Sequence, residues 1–157
     1  MNLAIILDFV NVFLAGLLAG TLFIIDYGVG PAIVAVLDDQ TQIQMRQALI
    51  LSLRVLVPAI FVPTILLGGI ITILDGVDPG FTFRLAGLLI VLASFLLTLL
   101  GTAPINATVL TWQPGAPPKD WRTLVSRWER FDKARTWAAI AAFALFLMAI
   151  TLKLAAH

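Results

Sequence analysis

Four apolar stretches, each close to the length of a membrane-spanning helix, constrain this chain more than anything else in it. They run over about residues 3–25, 55–74, 85–104 and 137–154. About 20 apolar residues carry a helix across a hydrocarbon core roughly 30 Å thick. Backbone in lipid must satisfy its own polar groups, so helices are the form these stretches take. Mean hydropathy is +1.03, and 61% of residues are hydrophobic against 12% charged, a balance that points away from a soluble domain. The first stretch lacks a basic leader and is longer than the core of a signal peptide, so it is expected to stay in the membrane. The expected fold is all-α, an antiparallel four-helix transmembrane bundle. It forms a single domain over residues 1–157, with polar connections at about 26–54 and 111–136.

The chain contains no cysteine, and its one histidine is His157 at the last position, which is either native or a tag remnant. That removes disulfides, thiolate nucleophiles, histidine-ligated haem, zinc sites and Ser-His-Asp triads. The expectation is no metal and no cofactor. A net charge of +1 gives no reason to expect a nucleic-acid partner.

The placement of the ten basic residues predicts an orientation. Arg46 and Arg54 flank the second stretch, and Lys119, Arg122, Arg127, Arg130, Lys133 and Arg135 lie between the third and fourth; only Arg84 and Lys153 lie on the other side. Positive charge favours the cytoplasmic face, so both long connections are expected inside and both termini outside. Trp112, Trp121, Trp128, Trp137 and Tyr27 fall at the same boundary, as an interfacial aromatic belt does.

The connections carry their own signals. In "DDQTQIQMRQ", Asp39 and Gln42 are spaced as an N-cap and its N3 partner, so a helix is expected to begin there and run into the second stretch. Pro58 and Pro63 are expected to interrupt it. "DGVDPG", residues 75–80, reads as a tight turn that makes the second and third stretches a hairpin.

Several polar residues sit where lipid makes them costly. At 100° per residue, Asp8, Asn11, Ala15, Ala19, Leu22 and Asp26 share one face of the first helix, which must therefore look into the bundle. Asp8 is expected either to pair with Arg84 or a terminal group, or to serve a site. Gly16 and Gly20 stand in GxxxG spacing, a signal for close helix packing. Pro104 frees a backbone carbonyl one turn earlier, and Asn106 offers donors and acceptors at the same depth. Asn106 either bridges the broken backbone or hydrogen-bonds a ligand oxygen.

Residues 121–136, "WRTLVSRWERFDKART", hold most of the charge. As a helix they place Trp121, Leu124, Val125, Trp128 and Phe131 on one face. Arg122, Ser126, Glu129, Arg130 and Lys133 lie on the other, with Glu129 and Lys133 at i,i+4. Asp132 and Arg135 break the pattern, because both project within the apolar stripe. They form either a structural ion pair or part of a site. Asp26, Tyr27, Arg54 and Asn106 end or begin the other spans at this level. The four helix ends are therefore expected to converge on a cavity walled by Trp112 and Trp128.

"APINATVL", the following Trp112, "RWERFDKART" and the small-residue run "AGLLAGTLF" together resemble the anthrone oxygenase-like family of small four-helix membrane proteins. The resemblance implies cofactor-independent oxygenation of a polycyclic phenolic substrate, anthrone to anthraquinone. It implies that Asn106 binds the substrate oxygen, that Trp128 stacks on the rings, and that Arg127 and Arg135 stabilise an oxyanion. Asp132 stands where the family often has Asn or His, and its implied role is that of proton acceptor. The implied partners are the bilayer and a lipophilic aromatic small molecule. The competing expectation is a non-catalytic accessory subunit, whose small-residue faces pack against a partner or a second copy. A permease has little support, since the charges are too few to trace a path.

Overall fold

The computed structural model describes residues 3–156, in which every regular element is helical. His157, whose origin the sequence leaves open, lies outside the described residues. Helix α1 (Leu3–Ile24) passes through a π-helical turn, Ile25–Val29, into α2 (Gly30–Val36). Helix α3 (Asp39–Asp75) is followed by α4 (Phe81–Leu97), a second π-helical turn at Thr98–Thr102, α5 (Ala103–Val109) and α6 (Trp121–Ala155). Four continuous helical stretches, Leu3–Ala35, Asp39–Asp75, Phe81–Val109 and Trp121–Ala155, are long and apolar enough to cross a bilayer. The chain is a multi-pass membrane protein. At about 1.5 Å per residue the 37 residues of α3 and 35 of α6 extend some 50–55 Å, well beyond a hydrocarbon core of roughly 30 Å.

Successive spans run in opposite directions, and a buried charge cluster at one end records it. Lys153, near the end of α6, places Nζ 2.7 Å from Asp8 near the start of α1 and also bonds Asp75 at the end of α3. Arg84, on the first turn of α4, lies 3.2 Å from Asp75 and 2.8 Å from Asp78. Buried charges persist only when paired, so these contacts tie all four helix ends together. The expected Asp8–Arg84 pair is present as a long 4.0 Å contact, and Lys153 is the nearer partner of Asp8.

The core follows from periodicity. Asp8, Asn11, Ala15, Leu18, Ala19 and Leu22 are the buried residues of α1, the face that the 3.6-residue period predicts. Ala15 to Leu22 pack with Val57, Ile60 and Phe61 of α3, Val91 of α4, and Ala139, Ala142 and Phe146 of α6. Gly16 meets the Phe143 ring, where a β-carbon would stand 3.0 Å from it, but Gly20 faces open space. The GxxxG face is thus half used inside the bundle.

One local expectation needs adjusting. Asp38 rather than Asp39 caps α3, accepting from the Thr41 N–H at 2.9 Å, while Asp39 turns outward to Arg122 at 2.6 Å. The cap frame moves back by one residue: Asp38 has the extended backbone of an N-cap, and Asp39 is already the first residue of the helix. Gln42 still reaches back, donating to the Leu37 carbonyl at 2.9 Å. Residues 75–80 form the expected turn, with Gly76 at φ 59°, a conformation that glycine alone adopts freely.

Each π-helical turn is followed by a proline near the start of the next helix, Pro31 in α2 and Pro104 in α5. Proline in an α-helix lacks a donor and drives its ring into the carbonyl four residues earlier. The i→i+5 bonds, Gly30 N–H to the Ile25 carbonyl and Ala103 N–H to the Thr98 carbonyl, widen the turn just before each ring. The helices therefore continue instead of breaking.

Candidate small-molecule site at the basic end of the bundle

Both widened turns open toward one cavity of about 750 Å³, at the end opposite the charge cluster. Small-molecule sites span roughly 300–1,000 Å³ and are mostly apolar with a few placed polar groups. Here Ile33, Ile50, Leu53, Val57, Pro58 and Phe95 supply apolar wall. Asp26 enters from the first π turn, Arg46 and Arg54 from α3, Asn106 from α5, and Trp128, Glu129, Asp132, Lys133 and Arg135 from α6. Asp132 lies 23 residues before Ala155, the end of α6. That places it about 35 Å from the far end of the bundle, at the level where a bilayer core ends.

The buried polar groups are only partly satisfied. Asp132 and Arg135 are 8% and 9% exposed and pair at 3.1 Å. Arg46 pairs with Glu129 at 3.0 Å and lies over the Trp128 ring, 5.5 Å from its centroid. Thr136 donates its hydroxyl hydrogen to Asp26. Ser94 of α4 donates to the Arg135 carbonyl at 2.9 Å, fixing that turn of α6. Yet Trp128 Nε1, Arg46 Nε, Arg135 Nε and Asn106 Oδ1 are buried without a hydrogen-bond partner. Buried polar atoms are nearly always bonded, so these four atoms are the free donors and acceptors that the cavity offers.

Of the residues singled out from sequence, Asp132, Arg135, Asn106, Trp128, Asp26 and Arg54 line this cavity. Three stand elsewhere. Arg127 is exposed and lies over the Phe131 ring at 5.7 Å. Trp112 does not line the cavity; it packs with Ile43, Val109 and Trp121 in an apolar cluster that adjoins it through Ile50 and Trp128, and its carbonyl accepts from Gln47 at 3.0 Å. Tyr27 faces outward, accepting from Trp137 Nε1 at 2.8 Å and stacking on Phe23. Glu129, expected beside Lys133, reaches across to Arg46 instead, because a buried guanidinium needs a counter-charge more than a solvated lysine does.

Sequence reading passed over Arg46 and Thr136 as site residues, though a signal was there. Ile43, Arg46, Ile50 and Val57 are buried at helical spacing on α3, so Arg46 interrupts an apolar stripe as Asp132 does on α6. Thr136 stands one turn after Asp132 on the same buried face.

The fold and cavity define a class: a small multi-pass helical membrane protein with a largely apolar pocket, bearing a few buried polar groups, at one end of its bundle. The sequence profile of the anthrone oxygenase family matches residues 45–145, and the chain belongs to that family. The matched span carries Arg46, Asn106, Trp128, Asp132 and Arg135; Asp26 and α1 lie outside it. No curated protein and no solved structure matches the chain.

Proposed function

We propose that the protein is a cofactor-independent oxygenase acting on a polycyclic phenolic substrate of the anthrone type, which it takes up from the bilayer. The observation that carries this reading is the cavity itself: largely apolar and ringed by buried N–H and C=O groups that lack partners. A flat aromatic ketone fits that chemistry. Its rings lie against the apolar wall and Trp128. Its oxygen accepts from Arg135 Nε and the Trp128 indole N–H, and a phenolic hydroxyl donates to the Asn106 carbonyl. The reaction balances with dioxygen as the oxidant: a ring CH₂ and O₂ give a ring C=O and H₂O. The carbon loses four electrons and dioxygen gains four. Removing a proton from the CH₂ places negative charge on the substrate oxygen, where Arg135 and Trp128 hold it. A carboxylate of the cavity accepts the proton. The basic end is proposed to face the cytoplasm, following the distribution of lysine and arginine.

The test uses purified protein in lipid nanodiscs with 1,8-dihydroxyanthrone, an anthrone that carries phenolic hydroxyls, as the anthrone probe throughout. Binding is followed by quenching of tryptophan fluorescence and turnover by anthraquinone absorbance. The expected result is binding by the wild type, incorporation of one atom from ¹⁸O₂ into the product, and loss of both binding and turnover in Asn106→Ala and Arg135→Ala. A folded wild-type protein that neither binds nor oxidises anthrone sinks the reading and leaves the accessory-subunit alternative.

A further inference from the structure

Two aspartates face the cavity, and their surroundings divide the chemistry between them. Asp132 is held by Arg135 at 3.1 Å. Asp26 also lines the cavity and is near enough for its charge to act on that of Asp132. Its one side-chain partner among the described residues is the Thr136 hydroxyl; no lysine or arginine stands within ion-pair distance of it. The other charged groups facing the cavity are otherwise engaged or peripheral. On α3, Arg46 is committed to Glu129 and Arg54 is exposed; on α6, Lys133 is exposed; α4 and α5 bring no ionisable group.

We infer that Asp26, held in place by Thr136, is the proton acceptor of this site, and that Asp132 instead serves to hold Arg135 against the substrate oxygen. The inference rests on the oxygenase reading and assigns its base. If Asp132 took a proton, Arg135 would be left as a buried cation without its counter-charge, which is costly. If Asp26 takes one, a half-buried carboxylate that feels Arg135 and Lys133 only at longer range becomes neutral, and no ion pair is broken. The first π turn supports the role. Asp26 stands within that turn, and π turns recur where a helix carries function.

The proton balance needs only one such base. Asp26 takes the first proton from the ring CH₂, and the resulting carbanion gives its electrons to dioxygen, forming a carbon–oxygen bond. The peroxide so formed receives that proton back. Asp26 then takes the second C–H proton while the O–O bond breaks, giving the ketone and hydroxide. Returning the proton to hydroxide makes water and restores the carboxylate. Thr136 touches no substrate in this scheme and is a positioning residue.

The test separates deprotonation from oxidation. Under nitrogen, anthrone bound in nanodiscs is scanned for the long-wavelength absorbance of its deprotonated form, in wild type, Asp26→Asn and Asp132→Asn; kcat and KM are then measured in air. The expectation is a red-shifted bound ligand in the wild type and in Asp132→Asn, the latter binding more weakly. In Asp26→Asn the ligand binds with no red shift, and kcat falls by about 10²- to 10⁴-fold, the usual worth of a general base. Thr136→Val should lower kcat with little change in KM, and Thr136→Ser should restore it, which a merely structural threonine would not do. A red shift that survives in Asp26→Asn, or is lost only in Asp132→Asn, overturns the inference while leaving the oxygenase reading intact. A red shift confined to Asp26-containing proteins but without oxidation supports the base and refutes the oxygenase. A wild type that binds no anthrone overturns both.

Discussion

Replacing Arg135 and Asp132, singly and together, separates a structural ion pair from a site. The two charges stand 3.1 Å apart and are 8% and 9% exposed. At that distance, with an effective dielectric of about 20, their attraction is about 5 kcal/mol. Withdrawing two ions from water costs several kcal/mol each, so the pair as a whole is close to neutral for stability. Removing one partner exposes the imbalance. Arg135→Met leaves Asp132 buried without a cation, and leaves nearby Asp26 without a cation to offset it. It should destabilise the fold by about 3–5 kcal/mol. The double variant Asp132→Leu with Arg135→Met removes both charges and replaces them with apolar groups of similar size. It should return to within about 1 kcal/mol of wild type or exceed it. The assay is unfolding in detergent followed by tryptophan fluorescence, run beside anthrone binding. A refolded double variant that has lost binding marks the pair as part of a site. Stability unchanged in Arg135→Met would refute the electrostatic reasoning, and undiminished binding in the double variant would refute the functional one.

Three further outcomes follow from the geometry. A β-carbon on Gly80 would lie 2.4 Å from the Ala149 carbonyl oxygen, so Gly80→Ala should push α4 off α6. The expected loss is at least the 1–3 kcal/mol typical of overpacking, whereas Gly69→Ala, which meets nothing within 4 Å, should be tolerated in the same thermal melt. The Thr41 N–H and hydroxyl hold the Asp38 carboxyl below its ordinary value of 3.8. Its stabilisation is therefore complete above that value and is lost as pH falls through the lower folded one. Asp38→Ala should accordingly melt below wild type at neutral pH, with the gap closing in acid. Reporter fusions at Asp78 and Trp121 should fall on opposite sides of the membrane, with Trp121 cytoplasmic; finding both on one side would rule out the four-span arrangement.

Much of this molecule is legible without coordinates. Apolar length alone sets the number of spans, because lipid forces each stretch to satisfy its backbone as a helix. Period alone sets which faces look inward, because a charged group facing lipid is too costly to persist. Asp8 and Asn11 on α1, and Asp132 and Arg135 on α6, are buried where the 100° projection puts them. Partner choice is another matter. Asp8 takes Lys153, 145 positions away, and Glu129 takes Arg46 rather than its helical neighbour Lys133. Spacing along one helix cannot rank partners on another; burial and approach distance do that.

The tertiary structure also decided what the cavity contains. Trp112, Tyr27 and Arg127 sit at the right level in the sequence, but each is turned to other packing partners: Trp112 in the connection after α5, Tyr27 in the π turn and Arg127 on the outer face of α6. Asp26 and Thr136, 110 positions apart, meet because α6 packs along α1 and its π turn. Hydropathy and period act residue by residue, so the chain by itself determined a four-span helical bundle and its buried faces. Which polar groups converge, and which are left without partners, depends on how the helices rotate and lean against one another, and only the folded bundle decides that.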